Sequence, residues 1–168
     1  MEMEKLLCIV IQLSISYFDN LEKIMKKILV MNGPNLNMLG IRETGVYGAK
    51  TLDEVNAFIL KQAKDKDVEL EFFQSNHEGA LIDKLHDAYG RKDGIILNAG
   101  AYTHYSYAIR DAISSIHLPC VEVHLSDIHA REEFRHRSVI SDVCIAQICG
   151  KGEQGYVDAL NMLLEERI

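Results

Sequence analysis

The chain has 168 residues, of which 48% are hydrophobic and 26% charged, and these proportions favour one globular domain with a substantial core. Its formal net charge of −7 argues against non-specific nucleic-acid binding, although a locally basic pocket can still bind a small anion. The four cysteines show neither a C-x-x-C motif nor zinc-finger spacing, so we expect reduced thiols and a cytoplasmic protein.

The first 24 residues differ from the rest of the chain. Residues 6–18 are apolar, but this segment is too short to span a bilayer, and its acidic flank MEMEK lacks the positive charge of a secretory signal. We therefore expect residues 1–24 to be an N-terminal extension, with Met25 as an alternative start. Residues 25–168 are expected to form a single domain that does not associate with membranes.

Five short apolar runs predict β-strands at residues 27–31, 68–73, 94–97, 120–123 and 143–148. Each run is apolar almost throughout, which is typical of strands that are buried on both faces of a parallel sheet. Helical patterns follow at residues 51–67, 75–90, 103–115 and 155–168. Thr51 and Glu54 have capping-box spacing, Gly90 is expected to end the second helix, and Thr103 is a candidate cap for the third.

This alternation of strands and helices predicts an α/β fold, a flavodoxin-like three-layer sandwich with a five-stranded parallel sheet in the order 2-1-3-4-5. In such a sheet, ligands bind beyond the carboxyl ends of the strands where the strand order reverses. Three segments are therefore expected to meet there: NGPN (residues 32–35), NAGAYTHYS (residues 98–106) and EVHLSD (residues 122–127).

These segments carry several polar side chains that could act in a site. Asn35 and Asn98 fall at the expected crevice, where a single Asn would often be only a turn residue or a cap. Glu122 and His124 are two residues apart on one strand, so they share a face and the carboxylate can orient the imidazole as a general acid or base. The cationic segment after residue 127, which includes Arg131 and Arg135, suggests an anion-binding rim or simply a solvated surface.

The link of 18 residues from 33 to 50 is unusually long for such a fold and predicts a lid. It carries Arg42 and Tyr47. A neighbouring arginine favours the phenolate form of a tyrosine, so this pair is chemically suited to act as a base and its activator.

Other functions of the same fold class fit the residues less well. A phosphate-binding loop would need G-K-[ST], and a dinucleotide site would need G-x-G-x-x-G; neither follows the first strand. A receiver domain would need an acidic cluster there, and an FMN carrier a Ser/Thr-rich loop. A metallohydrolase is disfavoured because no two histidines share ligand spacing on one element.

Three strings together resemble the type II 3-dehydroquinate dehydratase family: ILVMNGPNLNMLGIRETGVYG, GIILNAGAYTHYSYAIRDAI and EVHLSDIHAREEFRHRSVIS. The resemblance covers the chain from Met25 onward but not residues 1–24. It implies a hydro-lyase of the shikimate pathway, on the route to chorismate and the aromatic amino acids. Such an enzyme converts 3-dehydroquinate to 3-dehydroshikimate by anti elimination through an enolate, with no metal and no cofactor. It also implies a homo-oligomer, a dodecamer built as a tetramer of trimers.

The resemblance also implies roles for particular residues. Tyr47 would be the proton acceptor and Arg42 its activator, His124 the proton donor oriented by Glu122, and Asn35 would hold a water against the enolate oxygen. The expected substrate-binding residues are Asn98, His104, Arg135, the backbone of Leu125 and Ser126, and Asp111, which would act in a neighbouring subunit. Arg131 would shape the pocket.

Two positions depart from the family pattern. Thr44 stands where the family usually has Pro after the lid Glu, which is expected to alter lid closure but not the chemistry. Asp127 replaces the usual Asn after Ser126, which adds a negative charge near an anionic substrate.

Overall fold

The computed structural model describes residues 25–41 and 49–165. The strands are β1 (Lys26–Asn32), β2 (Val68–Gln74), β3 (Gly94–Asn98), β4 (Cys120–His124) and β5 (Ala146–Cys149). The helices are α1 (Leu52–Ala63), α2 (Glu78–Ala88), α3 (Tyr107–Ile116) and α4 (Gln154–Glu165). None of the described helices is long and apolar enough to cross a membrane. The predicted extension, residues 1–24, lies outside the described residues.

The five strands form one parallel sheet in the order β2-β1-β3-β4-β5. This confirms the predicted fold class and strand order. The order reverses between β1 and β3, so the chain leaves these two neighbouring strands in opposite directions and opens a crevice at their carboxyl ends. Asn32 and Asn98 end the two strands and are partners in the register.

Side chains of the central strands alternate between two hydrophobic cores, one on each face of the sheet. On one face, Ile28 and Val30 pack with α1 and α4. On the other, Leu29 and Met31 pack with α2 and α3. The period of two along each strand therefore supplies both cores, and residues 28–32 of β1, all of β3 and all of β4 are buried.

The edge strands differ from the prediction. The expectation that every strand is buried on both faces is wrong for β2 and β5, whose residues are mostly half-buried because each strand has only one neighbour. In β2, Glu71 forms ion pairs with Lys84 and Lys92. The predicted start of the fifth strand at residue 143 is also wrong, because Ser141–Val143 forms a 3-10 turn in which the Val143 N–H donates to the Ile140 carbonyl.

At the helix starts, one predicted N-cap is confirmed and the other prediction is wrong. The Thr51 hydroxyl accepts from the Glu54 N–H at 3.2 Å and the Glu54 carboxylate accepts from the Thr51 N–H at 2.8 Å, which is the predicted capping box. Thr103, however, does not cap α3. It is buried in a preceding 3-10 turn, Gly100–His104, and Ser106 caps the helix instead by accepting from the Ile109 N–H at 3.0 Å.

The loops that leave β1 and β3 pack directly against each other. The Gly33 N–H donates to the Asn98 carbonyl at 2.7 Å. A Cβ at Gly33 would lie 2.4 Å from the Ala99 carbonyl oxygen, which is a backbone atom that cannot rotate away. Gly100 has φ +59, and a Cβ there would lie 3.1 Å from the Pro34 carbonyl oxygen. Glycine at position 33 is therefore required for the two loops to meet.

We expect Gly33→Ala to lower the free energy of unfolding by about 2 kcal/mol or more, because the added methyl group forces the two loops apart. Urea unfolding followed by circular dichroism would measure the change. Gly79→Ala is the matched control, since a Cβ there has no heavy atom within 4 Å and alanine is the better helix former. An unchanged unfolding midpoint for Gly33→Ala would contradict the close approach of the loops.

Candidate active site

A cavity of about 120 Å³ lies at the carboxyl ends of β1, β3 and β4, where the sequence places the crevice. Its wall includes eight of the residues that the sequence analysis singled out: Asn35, Asn98, His104, His124, Leu125, Ser126, Arg131 and Arg135. The three loops that carry them are far apart in the sequence and are brought together by the parallel sheet.

Two of the remaining predicted site residues, Glu122 and Asp111, are described, and neither is part of the cavity wall. Glu122 is fully buried behind His124. Asp111 does not line this cavity; its side chain is 79% exposed on α3 and lies 3.7 Å from a guanidinium nitrogen of Arg110. Arg42 and Tyr47 lie outside the described residues, as does Thr44.

Asn35 has a constrained backbone at the edge of the cavity. It takes a left-handed conformation with φ 66 immediately after Pro34, and its N–H donates to the Asn76 side-chain oxygen at 2.9 Å. Asparagine tolerates this conformation better than most residues. The turn therefore leaves the Asn35 side chain exposed at the cavity while its main chain is tied to the loop after β2.

The Glu122 carboxylate accepts hydrogen bonds from three side chains. The His124 Nε2–H donates to Oε1 at 2.7 Å, the Gln147 amide donates to Oε2 at 2.9 Å, and the Ser138 hydroxyl lies 2.9 Å and 3.0 Å from the two oxygens. The Ser138 oxygen in turn accepts from the Ile140 and Ser141 N–H groups, so its single hydrogen is directed to Glu122. The Gln147 amide and the Ser138 hydroxyl both donate to Glu122, and a carboxylate that also accepts from the His124 Nε2–H satisfies every contact of this set.

An ionised Glu122 determines the chemistry of His124. Because the carboxylate can only accept, His124 must carry a hydrogen on Nε2, and Nδ1 is the nitrogen left for a ligand. When the ring is doubly protonated, Nδ1 offers a proton while Glu122 stabilises the imidazolium. This arrangement has the chemistry that a general acid needs: an imidazole with a proton on Nδ1 and a carboxylate that holds Nε2.

His104 offers a hydrogen-bond acceptor to the cavity, whereas protonated His124 offers a donor. Its ring lies nearly parallel to that of His124, with centroids 6.5 Å apart, and its edge contacts Phe134. Its Nδ1 lies 2.9 Å from the Arg137 carbonyl, which can only accept, so Nδ1 carries the hydrogen and Nε2 holds a lone pair. Burial lowers the pKa of His104 from its ordinary 6.5, and the hydrogen bond to Arg137 opposes this only in part. The neutral ring is thus a hydrogen-bond acceptor.

Asn98 is held by a residue that the sequence analysis did not identify. Tyr156 of α4 is fully buried, and its hydroxyl lies 2.9 Å from the Asn98 Nδ2 and 2.6 Å from the Asn32 Oδ1. Asn32 was identified only as the first residue of the NGPN segment. Ser138 and Gln147 were also missed. Each is distant in sequence from the group that it contacts, so no local spacing could have shown the contact.

Two arginines of the cationic segment after residue 127 are part of the cavity wall. Arg131 and Arg135 line the cavity, and Glu132 lies beside both, with Oε2 3.5 Å from the Arg131 Nε and 2.8 Å from the Arg135 Nε. Arg135 also lies over the Phe134 ring, 4.7 Å from its centroid. These contacts fix the guanidinium groups at the mouth of the cavity.

Asp127, one of the two departures from the family pattern, is placed away from the cavity wall. Its carboxylate caps the 3-10 turn Ile128–Ala130 by accepting from the His129 N–H at 2.9 Å. An Asn side chain has the same oxygen and could make the same bond. The substitution therefore adds charge without removing the cap.

Metal chemistry has no evident centre in the described part of the chain. Among residues 25–41 and 49–165, no three His, Cys, Asp or Glu side chains are grouped so as to hold a metal ion.

Comparison with known proteins gives a consistent result. The family model Dehydroquinase class II matches residues 26–164. The chain is 58% identical over 142 residues to a 3-dehydroquinate dehydratase of Caldicellulosiruptor bescii, covering 84% of this chain and 98% of that protein. A solved type II dehydroquinase from Butyrivibrio crossotus matches with a TM-score of 0.80 and 54% identity, covering 82% of this chain and 97% of that one. One from Propionibacterium acnes matches with a TM-score of 0.82 and 39% identity, covering 86% and 100%.

We predict opposite tautomers for the two stacked histidines. In neutral His104 the hydrogen lies on Nδ1, whereas in neutral His124 it lies on Nε2, because each faces an acceptor at that nitrogen. Neutron diffraction from deuterated crystals at alkaline pH would locate both hydrogens directly. Deuterium on Nε2 of a neutral His104, with none on Nδ1, would contradict the assignment.

We also predict that His104 titrates below 6.5 and makes stability depend on pH. The unfolded chain binds the proton more readily than the folded protein, so the free energy of unfolding decreases as the pH falls from 6.5 through the lowered pKa. An NMR titration of His104 and unfolding curves across this window would measure both effects. In His104→Asn, which keeps a donor near the Arg137 carbonyl, this part of the pH dependence should be absent. A midpoint above 6.5 is the result that would refute the prediction.

Proposed function

This chain belongs to the class II dehydroquinase family, and on that basis we propose that it dehydrates 3-dehydroquinate to 3-dehydroshikimate in the shikimate pathway. The reaction proposed is an anti elimination through an enolate, without a metal or cofactor. The observation that carries the proposal is the buried Glu122–His124 pair, in which an oriented imidazole can deliver a proton to a leaving group in the cavity.

The proposed reaction needs one base and one acid. Tyr47, as phenolate, takes the C2 proton next to the ketone, and the positive charge of Arg42 favours that phenolate. The electron pair of the C–H bond moves to form the enolate. The enolate then expels the hydroxyl group, which leaves as water after it takes a proton from His124. A carbon–carbon double bond is formed and no electrons are exchanged with any other group.

The geometry of His124 supports its part in this mechanism. Nε2 is engaged by Glu122, so the proton is delivered from Nδ1, on the other side of the ring. The negative carboxylate stabilises the imidazolium before the transfer and holds the ring in one orientation. Ser138 and Gln147 hold the carboxylate in turn.

Substrate binding is proposed to use the rest of the cavity wall. The side chains of Asn98, His104 and Arg135 bind the hydroxyl groups of the substrate ring. The N–H groups of Leu125 and Ser126 bind the substrate carboxylate. Asn35 holds a water against the enolate oxygen. All of these residues line the same cavity, and the guanidinium groups at its mouth suit an anionic substrate.

The assembly proposed is a dodecamer, a tetramer of trimers, in the cytoplasm. Asp111 is 79% exposed and outside its own cavity, as expected of a residue that acts in a neighbouring subunit. The three described cysteines, Cys120, Cys144 and Cys149, are free thiols, which suits a reducing compartment. Mass photometry would test the assembly against twelve times the chain mass of 19.0 kDa.

The direct test mixes the purified protein and a chelator with 3-dehydroquinate and follows the ultraviolet absorbance of the conjugated enone carboxylate. Growth of that band supports the reaction and its independence of metal. A parallel sample receives borohydride with substrate, which should leave the enzyme active because no imine forms. A folded, oligomeric protein that produces no band would refute the proposed function.

We predict that Tyr47→Phe and His124→Ala each lower kcat by at least about 10²-fold, since each removes one of the two proton-transfer groups. Steady-state assays would measure the loss. Tyr89→Phe and His86→Ala are matched controls, because both residues lie at the end of α2 near the amino edge of the sheet, and they should retain full activity. A fully active Tyr47→Phe enzyme would exclude the proposed base.

A further inference from the structure

We propose that Tyr156 is a positioning residue for substrate binding, whose buried hydroxyl orients the Asn98 amide so that an N–H of Asn98 faces the cavity. Asn98 then serves as a donor to a substrate oxygen, and its carbonyl is turned away. The part that concerns substrate rests on the function proposed above.

The polarity of the Tyr156 hydroxyl follows from its two partners. The hydroxyl lies 2.6 Å from the Asn32 Oδ1, which is an acceptor, so the single phenolic hydrogen is directed there. The hydroxyl must therefore accept from its second partner, the Asn98 Nδ2 at 2.9 Å. Burial raises the pKa of the phenol, with the hydrogen bond from Asn98 opposing it, so the hydrogen stays on the oxygen near neutral pH.

The second contact of Asn98 supports the same amide orientation. Its Oδ1 accepts from the Gly100 N–H at 3.2 Å, and that N–H can only donate. The reversed amide would place a donor against the Gly100 N–H and an acceptor against the phenolic oxygen, so both contacts would be lost together. The Gly100 N–H therefore selects one amide orientation, and the Tyr156 hydroxyl is satisfied by that same orientation.

This orientation leaves one group of Asn98 for a ligand. The amide nitrogen has two hydrogens, of which one is used by Tyr156, and Asn98 is part of the cavity wall. The second N–H is therefore the polar group that Asn98 offers. Beside it on the same wall, neutral His104 offers an acceptor. A hydroxyl group, which both accepts and donates, is the ligand group that satisfies this combination.

A double-mutant cycle separates this role from a purely structural one. Wild type, Tyr156→Phe, Asn98→Ala and the double variant are compared for kcat and KM with 3-dehydroquinate. Tyr156→Phe should raise KM about 10-fold, since the amide is free to turn, while kcat changes less than about 3-fold. In the Asn98→Ala background the same change should alter KM less than about 2-fold. Tyr89→Phe, at a residue that is 66% exposed, is the control and should match wild type.

Two kinetic results would overturn the proposal. One is an unchanged KM in Tyr156→Phe. The other is an equal increase of KM in both backgrounds, because Tyr156 would then act through the fold in general and not through Asn98.

Neutron diffraction gives a readout that does not depend on activity. In the wild type, the Asn98 amide nitrogen should carry two deuterium atoms, one directed to Tyr156 and one to the cavity. In Tyr156→Phe, both amide orientations should be present. A wild-type amide turned the other way would overturn it. An inactive wild type would instead refute the proposed function while leaving the amide orientation measurable, so the two failures are distinguishable.

Discussion

A carboxylate that is completely removed from water must receive hydrogen bonds from the protein, and in this molecule that requirement organises one side of the site. Glu122 receives them from its own strand, from the neighbouring strand β5 and from the segment between them. Gln147 can reach it because β5 places the two residues as partners in the register. The turn that begins at Ser138 fixes the hydroxyl that completes the set. The register of an edge strand and the conformation of a loop therefore both supply hydrogen bonds to one buried carboxylate.

The sequence allowed the sheet and part of the site to be predicted, but not the contacts that hold the site together. Strand order followed from buried apolar runs alternating with helices, and the Glu122–His124 contact followed from a period of two on one strand. The partner Tyr156 lies 58 positions from Asn98, and nothing local in either segment marks the contact. The start of β5 was wrong because an apolar run does not show whether its N–H groups bond to a neighbouring strand or close a turn.

The neutral side chains of the cavity have a defined polarity because acceptor-only or donor-only backbone groups lie behind them. The Arg137 carbonyl forces the hydrogen of His104 onto Nδ1, and the Gly100 N–H holds the Asn98 carbonyl. A site built in this way distinguishes a hydroxyl from a carbonyl or carboxylate oxygen, since the latter two cannot donate to His104. A mismatched group would leave the half-buried His104 nitrogen unpaired, which disfavours its binding.

The arginines at the mouth of the cavity already have an anionic neighbour in this chain of net charge −7. Glu132 forms ion pairs with both of them, so an anionic ligand would compete with its carboxylate. The pKa of Glu132 is lowered by a hydrogen bond from its own backbone and by Arg135, so it is ionised at neutral pH. Its side chain is 54% exposed, however, and an exposed ion pair contributes little net free energy. Glu132 therefore orients the Arg135 guanidinium, and an anion that replaces Glu132 there loses little free energy by breaking the ion pair. A carboxylate or hydroxyl deeper in the cavity gains more from the same guanidinium, because less water competes for it there.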